Sequence, residues 1–576
     1  MSDDGLRGLM NDFRKSGEVD ERDLKRGKGK AQRAKVARNV ADQSIRGYLQ
    51  KLERQGEMVR ITKEVDPTSN MSAIDWKTYD SLGKASLFTN IKGHDGWQAC
   101  SQILADRTKW AAALNVTEAE FLPALSRKLK TQIEPVMDES GNAPCKEVIK
   151  LGDDASLLDL PVVTQSENDG GPYIASGMAI LKDPDTGIRN FSIHRQQIFD
   201  ARHSGFLMLP RQARRIHDKY LAKGQPTPVA IVIGAHPAII FGSAFTTKFG
   251  VDELAISGGL LGDPVRLVKC ETIDMEVPAD AEIILEGEVM LGEKRWEGPF
   301  GEVPGTYAEA EDCEIFRVSA ITHRRDPIYY ALHCGMPTTC TQATTGLGIE
   351  LATWEHLSNV EGGLDLLDVR CPPAGATMML VIKMRPRFAG QAKTALMAAL
   401  SGPYLHPKLV IAVDEDIDAG DLRQVMWSMT TRVHAEKDVT MIHNTRTFAL
   451  DKISPVVDGG GQFERLGTKW LIDATMPAAT HAEERARFTR AMPKNFDEVD
   501  LEDFLPAELF KQGESGPVRD RPLRPFIPFR RGGSQSRPTD QRMKLTAPSW
   551  PSSVQSSTAR RSAMRRPAAV GFSRYR

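Results

Sequence analysis

Two apolar runs flanking a helical stretch constrain this chain more than any other feature. Met378-Met379-Leu380-Val381-Ile382 and Leu409-Val410-Ile411-Ala412-Val413 offer no polar face, which predicts strands covered on both sides. Residues 390–400 between them are rich in alanine and start at a glycine, as a helix would. Val439-Thr440-Met441-Ile442 predicts a third strand. Strand–helix–strand order leads to a parallel sheet joined by right-handed crossovers. Residues 326–510 therefore read as a C-terminal α/β domain.

The preceding segments follow other rules. Ser44 is placed to cap a helix that carries Tyr48, Leu49 and Leu52 on one face. Ala111-Ala112-Ala113-Leu114 and Phe121-Leu122 also read as helical, so residues 44–140 form an N-terminal α/β domain. Over 141–325 the signal changes to short strands, among them 229–233, 282–289 and 313–321. Their connections are rich in glycine and proline, which predicts a β-barrel or sandwich. The fold class is α/β with an α+β centre.

The two ends are basic. Residues 1–43 hold Lys25, Arg26, Lys28, Lys30, Arg33, Lys35 and Arg38 with no interleaved aromatics, which favours a solvated, disordered arm over a nucleic-acid site. Residues 511–576 are rich in Arg, Pro and Ser and are expected to be disordered too. No apolar run is long enough for a membrane-spanning helix. The acidic start Met1-Ser2-Asp3-Asp4 lacks the apolar core of a secretory signal, so a cytoplasmic protein is expected. Seven scattered cysteines without a CxxC pair fit reduced thiols. Dinucleotide, P-loop, HExxH and GxSxG signatures are absent.

What remains as chemistry is concentrated in a few blocks. Glu297-Gly298-Pro299-Phe300-Gly301-Glu302 sets two carboxylates around a turn that proline stiffens and glycine permits. An ordinary acidic turn would look the same in isolation. Upstream, Asn190-Phe191-Ser192-Ile193-His194-Arg195 puts a guanidinium inside an otherwise apolar strand, where it needs an acid partner or an acidic substrate. On a regular strand Asn190 and Arg195 would face opposite ways, so a shared site requires the strand to bend. Glu253 reads as a helix-start acid, and Lys393 lies just inside a helix that begins at Gly390.

Taken in order, these blocks resemble the UbiD family of prenylated-FMN-dependent decarboxylases, over residues 44 to about 500. The matching segments are Asn190 to Arg195, the Glu-Leu-Ala-Ile-Ser-Gly-Gly stretch at Glu253, the hexapeptide, Gly390-Gln391-Ala392-Lys393, Trp427-Ser428-Met429-Thr430-Thr431-Arg432 and Ile472-Asp473-Ala474-Thr475. The resemblance implies a split β-barrel that binds the flavin over 141–325 and an oligomerising C-terminal domain. It implies an Arg195, Glu297 and Glu302 triad, with Glu302 as proton donor and Glu297 as partner to the arginine. Asn190 and Glu253 would hold Mn²⁺ against the cofactor phosphate, with K⁺ close by and Lys393 on the same phosphate. Ile193, His194 and Ser243 would line the cofactor. The family's histidine ligand is missing: Gln212 falls at or beside its position, and His217 lies about one turn further. The implied reaction is reversible, non-oxidative decarboxylation of an aromatic, heteroaromatic or α,β-unsaturated acid through a covalent adduct with prenylated FMN, which a flavin prenyltransferase supplies. A homodimer or homohexamer is implied, with no nucleic-acid or membrane partner. The alternatives are the polyprenyl-hydroxybenzoate decarboxylase of ubiquinone synthesis and a non-catalytic flavin- or metal-binding relative.

Overall fold

The computed structural model describes residues 42–506, apart from 361, 459–463, 497 and 501–502. These lie in the first of the two units into which the chain divides, Met1–Pro525. The expectations for the basic ends fall outside the described residues, except at Asp42 and Gln43. Gln43, assigned by sequence to the arm, is in fact docked. Its amide donates to Pro264 O at 2.7 Å and accepts from Arg266 N at 3.0 Å. Ser44 then caps the helix Ile45–Arg54 by accepting from Arg46 N at 3.2 Å, and Ile45, Tyr48, Leu49 and Leu52 are buried.

The N-terminal sheet has the order Met58–Ile61, Ala85–Phe88, Gln98–Ser101, Ile328–Tyr330. Its last strand comes from beyond the central region, although the sequence places it in the C-terminal domain. All three of its residues are buried, and it pairs in parallel with Gln98–Ser101. The chain therefore leaves the N-terminal sheet and enters residues 331–342, which border the site described below.

The central region, expected as a split barrel, is built on a seven-stranded sheet. The order is His203–Phe206, Glu311–His323, Ile283–Glu297, Thr227–Ile233, Met178–Lys182, Arg189–Ile193, with Val148–Leu151 also on Glu311–His323. Val229 to Ile233 are fully buried, as a run without a polar face requires. The strand Ile283–Glu297 is longer than its apolar pattern suggests. Its first half is core, residues 291–296 are exposed, and its last residue, Glu297, is buried again. Pairing of Glu297 with Glu311 after an irregularity between Val289 and Lys294 carries the strand that far.

The C-terminal sheet has the order Leu366–Arg370, Met379–Met384, Leu409–Val413, Leu466–Ala474, Val439–Arg446. Met379–Met384, Leu409–Val413 and Leu466–Ala474 run parallel. The predicted third strand forms, but as an antiparallel edge on Leu466–Ala474. Its half-exposed pattern suits an edge, whereas Leu471, Ile472 and Ala474 are buried.

Candidate active site

The hexapeptide is held in a turn by contacts on both sides. Gly298 has φ +108°, and a Cβ there would sit 2.8 Å from Ala310 Cα, so only glycine fits without a shift. Gly170 N donates to Pro299 O at 2.8 Å, and Gly298 N donates to Gln197 Oε1 at 2.9 Å. Gly301 N donates to Asp169 Oδ1 at 2.8 Å. Phe300 is buried against Tyr173, with ring centroids 4.5 Å apart.

This turn brings both acids to one arginine. Arg195 donates through Nε to Glu297 Oε1 at 3.0 Å and through Nη2 to Glu297 Oε2 at 2.9 Å. Its Nη1 donates to Glu302 Oε1. The guanidinium also lies over the Phe300 ring, 5.2 Å from its centroid. The strand Arg189–Ile193 ends before Arg195, so alternation no longer governs where this side chain points. Burial works against the charge of Arg195, but Glu302 and Glu297 outweigh it and hold its pKa above the ordinary arginine value. Burial pushes the Glu302 carboxyl above the usual carboxylate range, against the pull of Arg195. Two acids on one cation thus differ in their contacts. Glu297 is 1% exposed and has the two-pronged contact, while Glu302 is held by one prong.

A second group lies on the other side of Ser192. The helix Glu253–Leu261 is capped by Asp252, which accepts from Leu254 N at 2.9 Å. It packs against the helix Pro237–Ala244 and the strand Arg189–Ile193. The glycines of its Glu-Leu-Ala-Ile-Ser-Gly-Gly stretch serve packing, because a Cβ on Gly258 or Gly259 would collide with the backbone of Ile133 or Thr131. Glu253 accepts from Phe191 N at 2.9 Å, Thr247 Oγ1 at 2.6 Å and Asn190 Nδ2 at 3.4 Å. It is buried with no cationic partner in these bonds, and burial pushes its pKa up to about 7. Gln212 opens the helix Gln212–Ala222 and donates to Thr247 O at 2.9 Å. Asn190, Glu253 and Gln212 are therefore linked through Thr247. Ser192 connects this group towards Arg195, donating to Asn190 Oδ1 at 3.1 Å and lying 3.0 Å from His194 Nε2.

Other residues singled out by sequence lie as follows. His194 stacks on Phe206 at 4.8 Å, and its Nδ1 is 2.9 Å from Leu207 O. Ile193 ends its strand opposite Met178. Ser243 is buried and donates to Ile240 O at 2.7 Å. His217 is buried against Thr227 Oγ1 at 2.8 Å, so its hydrogen bond holds it to the strand Thr227–Ile233 instead of the Glu253 group. Lys393 sits on the C-terminal domain and donates to Lys437 O at 3.2 Å. Thr247, Ser192, Asp169 and Gln197 were not foreseen. Asn168-Asp169-Gly170-Gly171 signals a turn in the sequence, but nothing there says which backbone it will hold.

Comparison with known proteins extends over nearly all the described residues. Models of the 3-octaprenyl-4-hydroxybenzoate carboxy-lyase family match as its N-terminal domain at 49–129, its Rift-related domain at 137–337 and its C-terminal domain at 343–474. An uncharacterized protein of Archaeoglobus fulgidus is 30% identical over 471 residues, covering 77% of this chain and 94% of that one. The UbiD-class enzyme HmfF from Pelotomaculum thermopropionicum, solved in complex with FMN, is 34% identical with a TM-score of 0.74, over 80% of this chain and 100% of that one. An evolved dimeric form of HmfF was solved with prFMN. The apo 3,4-dihydroxybenzoic acid decarboxylase from Enterobacter cloacae is 27% identical with a TM-score of 0.73, over 81% and 99%.

Proposed function

The chain belongs to the UbiD family of carboxy-lyases, and from that premise we propose that it reversibly decarboxylates an aromatic, heteroaromatic or α,β-unsaturated acid with prenylated FMN. The observation that carries this reading is Arg195 held in a two-pronged contact by buried Glu297 and in a single contact by Glu302. Relatives with solved structures include a UbiD-class enzyme and a dihydroxybenzoic acid decarboxylase, which supports an aromatic carboxylate as substrate.

The residues divide the work by their contacts. Loss of CO₂ from an sp² carbon leaves electron density that the prenylated flavin, when bound, accepts. Arg195 stays charged and presents the substrate carboxylate with the prong that Glu302 occupies here, while Glu297 keeps the fork in place. Glu302 is the exchangeable acid. Its raised pKa lets it hold a proton, release Nη1 to the substrate and deliver that proton to the carbon after CO₂ leaves. In the reverse direction it takes the proton back.

The second group fits a hard divalent cation. Its donors are oxygens of Asn190, Glu253 and Gln212, a set that suits Mn²⁺, and a buried acid near pKa 7 gains most from a cation. That cation would hold the cofactor phosphate, with K⁺ nearby. Lys393 would reach the phosphate only by leaving Lys437 O.

The test is co-production with a flavin prenyltransferase. A visible flavin band and ¹³CO₂ exchange into one member of a panel of aromatic acids support the reading. A flavin-loaded protein that exchanges none of them favours a binding-only relative.

A further inference from the structure

The residues on both sides of Glu302 are anchored, and the two anchors come from different elements. On one side Gly301 N donates to Asp169 Oδ1 at 2.8 Å. On the other, Gln342 Nε2 donates to Val303 O at 2.9 Å and to Gly335 O at 2.6 Å. Gln342 is fully buried, in the first turn of the helix Cys340–Ser358. Its Oε1 accepts from Thr339 N at 2.7 Å and from Thr339 Oγ1, which completes a capping box. Every hydrogen-bonding position of this amide is used.

The chemistry of the box makes this choice informative. A capping box accepts Glu or Gln at this position, because only the side-chain oxygen reaches back to the cap. Glutamate would serve the helix here but could not donate to Val303 O or Gly335 O. The second half of the amide is therefore not explained by the helix. It ties Val303, the residue after Glu302, to the loop after Cys334, a residue whose thiol is pushed up by burial and by the charge of Glu302. The groups that face the Glu302 carboxyl are Arg195, Glu297 and Cys334.

We propose that Gln342 is a positioning residue for the Glu302 carboxyl, coupling it to the helix Cys340–Ser358. This rests on the reading of Glu302 as proton donor. The test uses Gln342→Glu, which keeps the cap, and Gln342→Met, which loses cap and clamp. In flavin-loaded protein both should lower ¹³CO₂ exchange by ~10–100-fold, the range a small misplacement of a reacting group produces. Both variants should unfold below the wild type, Gln342→Glu because a buried carboxylate would face the Val303 and Gly335 carbonyl oxygens and Gln342→Met because cap and clamp are both lost, so exchange is compared per folded, flavin-loaded protein. A readout without cofactor is the carbonyl stretch of protonated Glu302, identified by its loss in Glu302→Gln. Its titration midpoint should rise in both variants as the carboxyl drifts from Arg195. Wild-type exchange with an unchanged midpoint in both variants overturns the proposal. So does an exchange loss that only follows loss of folded protein. Should Glu302→Gln itself retain exchange, the proton-donor reading fails, and the carbonyl midpoint still decides whether Gln342 places Glu302.

Discussion

Arg195 grips Glu297 with two parallel bonds of 3.0 and 2.9 Å, and both side chains are withdrawn from solvent. Truncating Glu297 removes two of the three carboxylate bonds on a buried guanidinium and leaves it the single Glu302 contact. We expect Glu297→Ala to destabilise the protein by about 3–5 kcal/mol, the usual cost of breaking such a pair. Urea unfolding at neutral pH measures it. A cost within about 0.5 kcal/mol of zero, the range of ordinary surface substitutions, would show that the pair is not structurally coupled.

Lysine cannot replace the fork. Arg195→Lys retains the charge but makes one contact where the guanidinium makes three. We expect kcat/KM for the best acid to fall ~100-fold or more, as loss of a preorganised electrostatic contact does. Steady-state kinetics checks this. Activity near the wild-type level in the lysine variant would mean that charge alone suffices.

The pH dependence follows from Glu302. Its carboxyl is raised above the usual value by burial, so the proton-donating form persists beyond the range of an exposed glutamate. Exchange should be lost as pH rises through that raised pKa. The stability term has the same sign. It is fully present below the unfolded value of about 4.3 and disappears as pH rises through the folded pKa. A profile of ¹³CO₂ exchange against pH, repeated in Cys334→Ser to remove the neighbouring thiol, should show one basic limb that remains in the variant.

The oxygen-donor group predicts a metal response. Added Mn²⁺ should raise the unfolding temperature of the wild type, since a ligand of the native state stabilises it. Glu253→Gln should abolish that rise. If Gln212→Ala leaves stoichiometric Mn²⁺ unchanged by metal analysis, Gln212 is not a ligand.

Gly298→Ala tests the turn itself. The added Cβ meets Ala310 backbone at 2.8 Å in a left-handed conformation. We expect a loss of roughly 1–3 kcal/mol, in line with strained backbone positions, together with reduced exchange because Glu297 precedes this residue. Circular dichroism melts and exchange assays on the same preparation check both.

Legibility varied with the kind of force involved. Runs such as 378–382 and 409–413 announce their burial because both faces are apolar, and they form the parallel core of the C-terminal sheet. The third parallel strand, Leu466–Ala474, was missed because it mixes Lys469 and exposed Trp470 with buried Leu471 and Ile472. Residues 291–296 were missed for a similar reason, since an exposed extension of a strand carries no alternation. Ile328–Tyr330 shows its apolarity but not which sheet it joins, which only tertiary pairing decides. At the site, residue types that are costly to bury stood out, namely Arg195, Glu253, Glu297 and Glu302. The neutral residues that orient them, Gln342, Gln197 and Thr247, look like any polar residue in a sequence. Their role lies in which backbone group they reach.

The measurement that bears most directly on the mechanism is ¹³CO₂ exchange by Glu302→Gln in protein loaded with prenylated FMN. The amide keeps the size of the side chain but has no proton to deliver to carbon. The expected result is a visible spectrum like that of the wild type with exchange abolished. Full exchange in that variant would contradict the assignment of Glu302 as the acid that reprotonates the substrate.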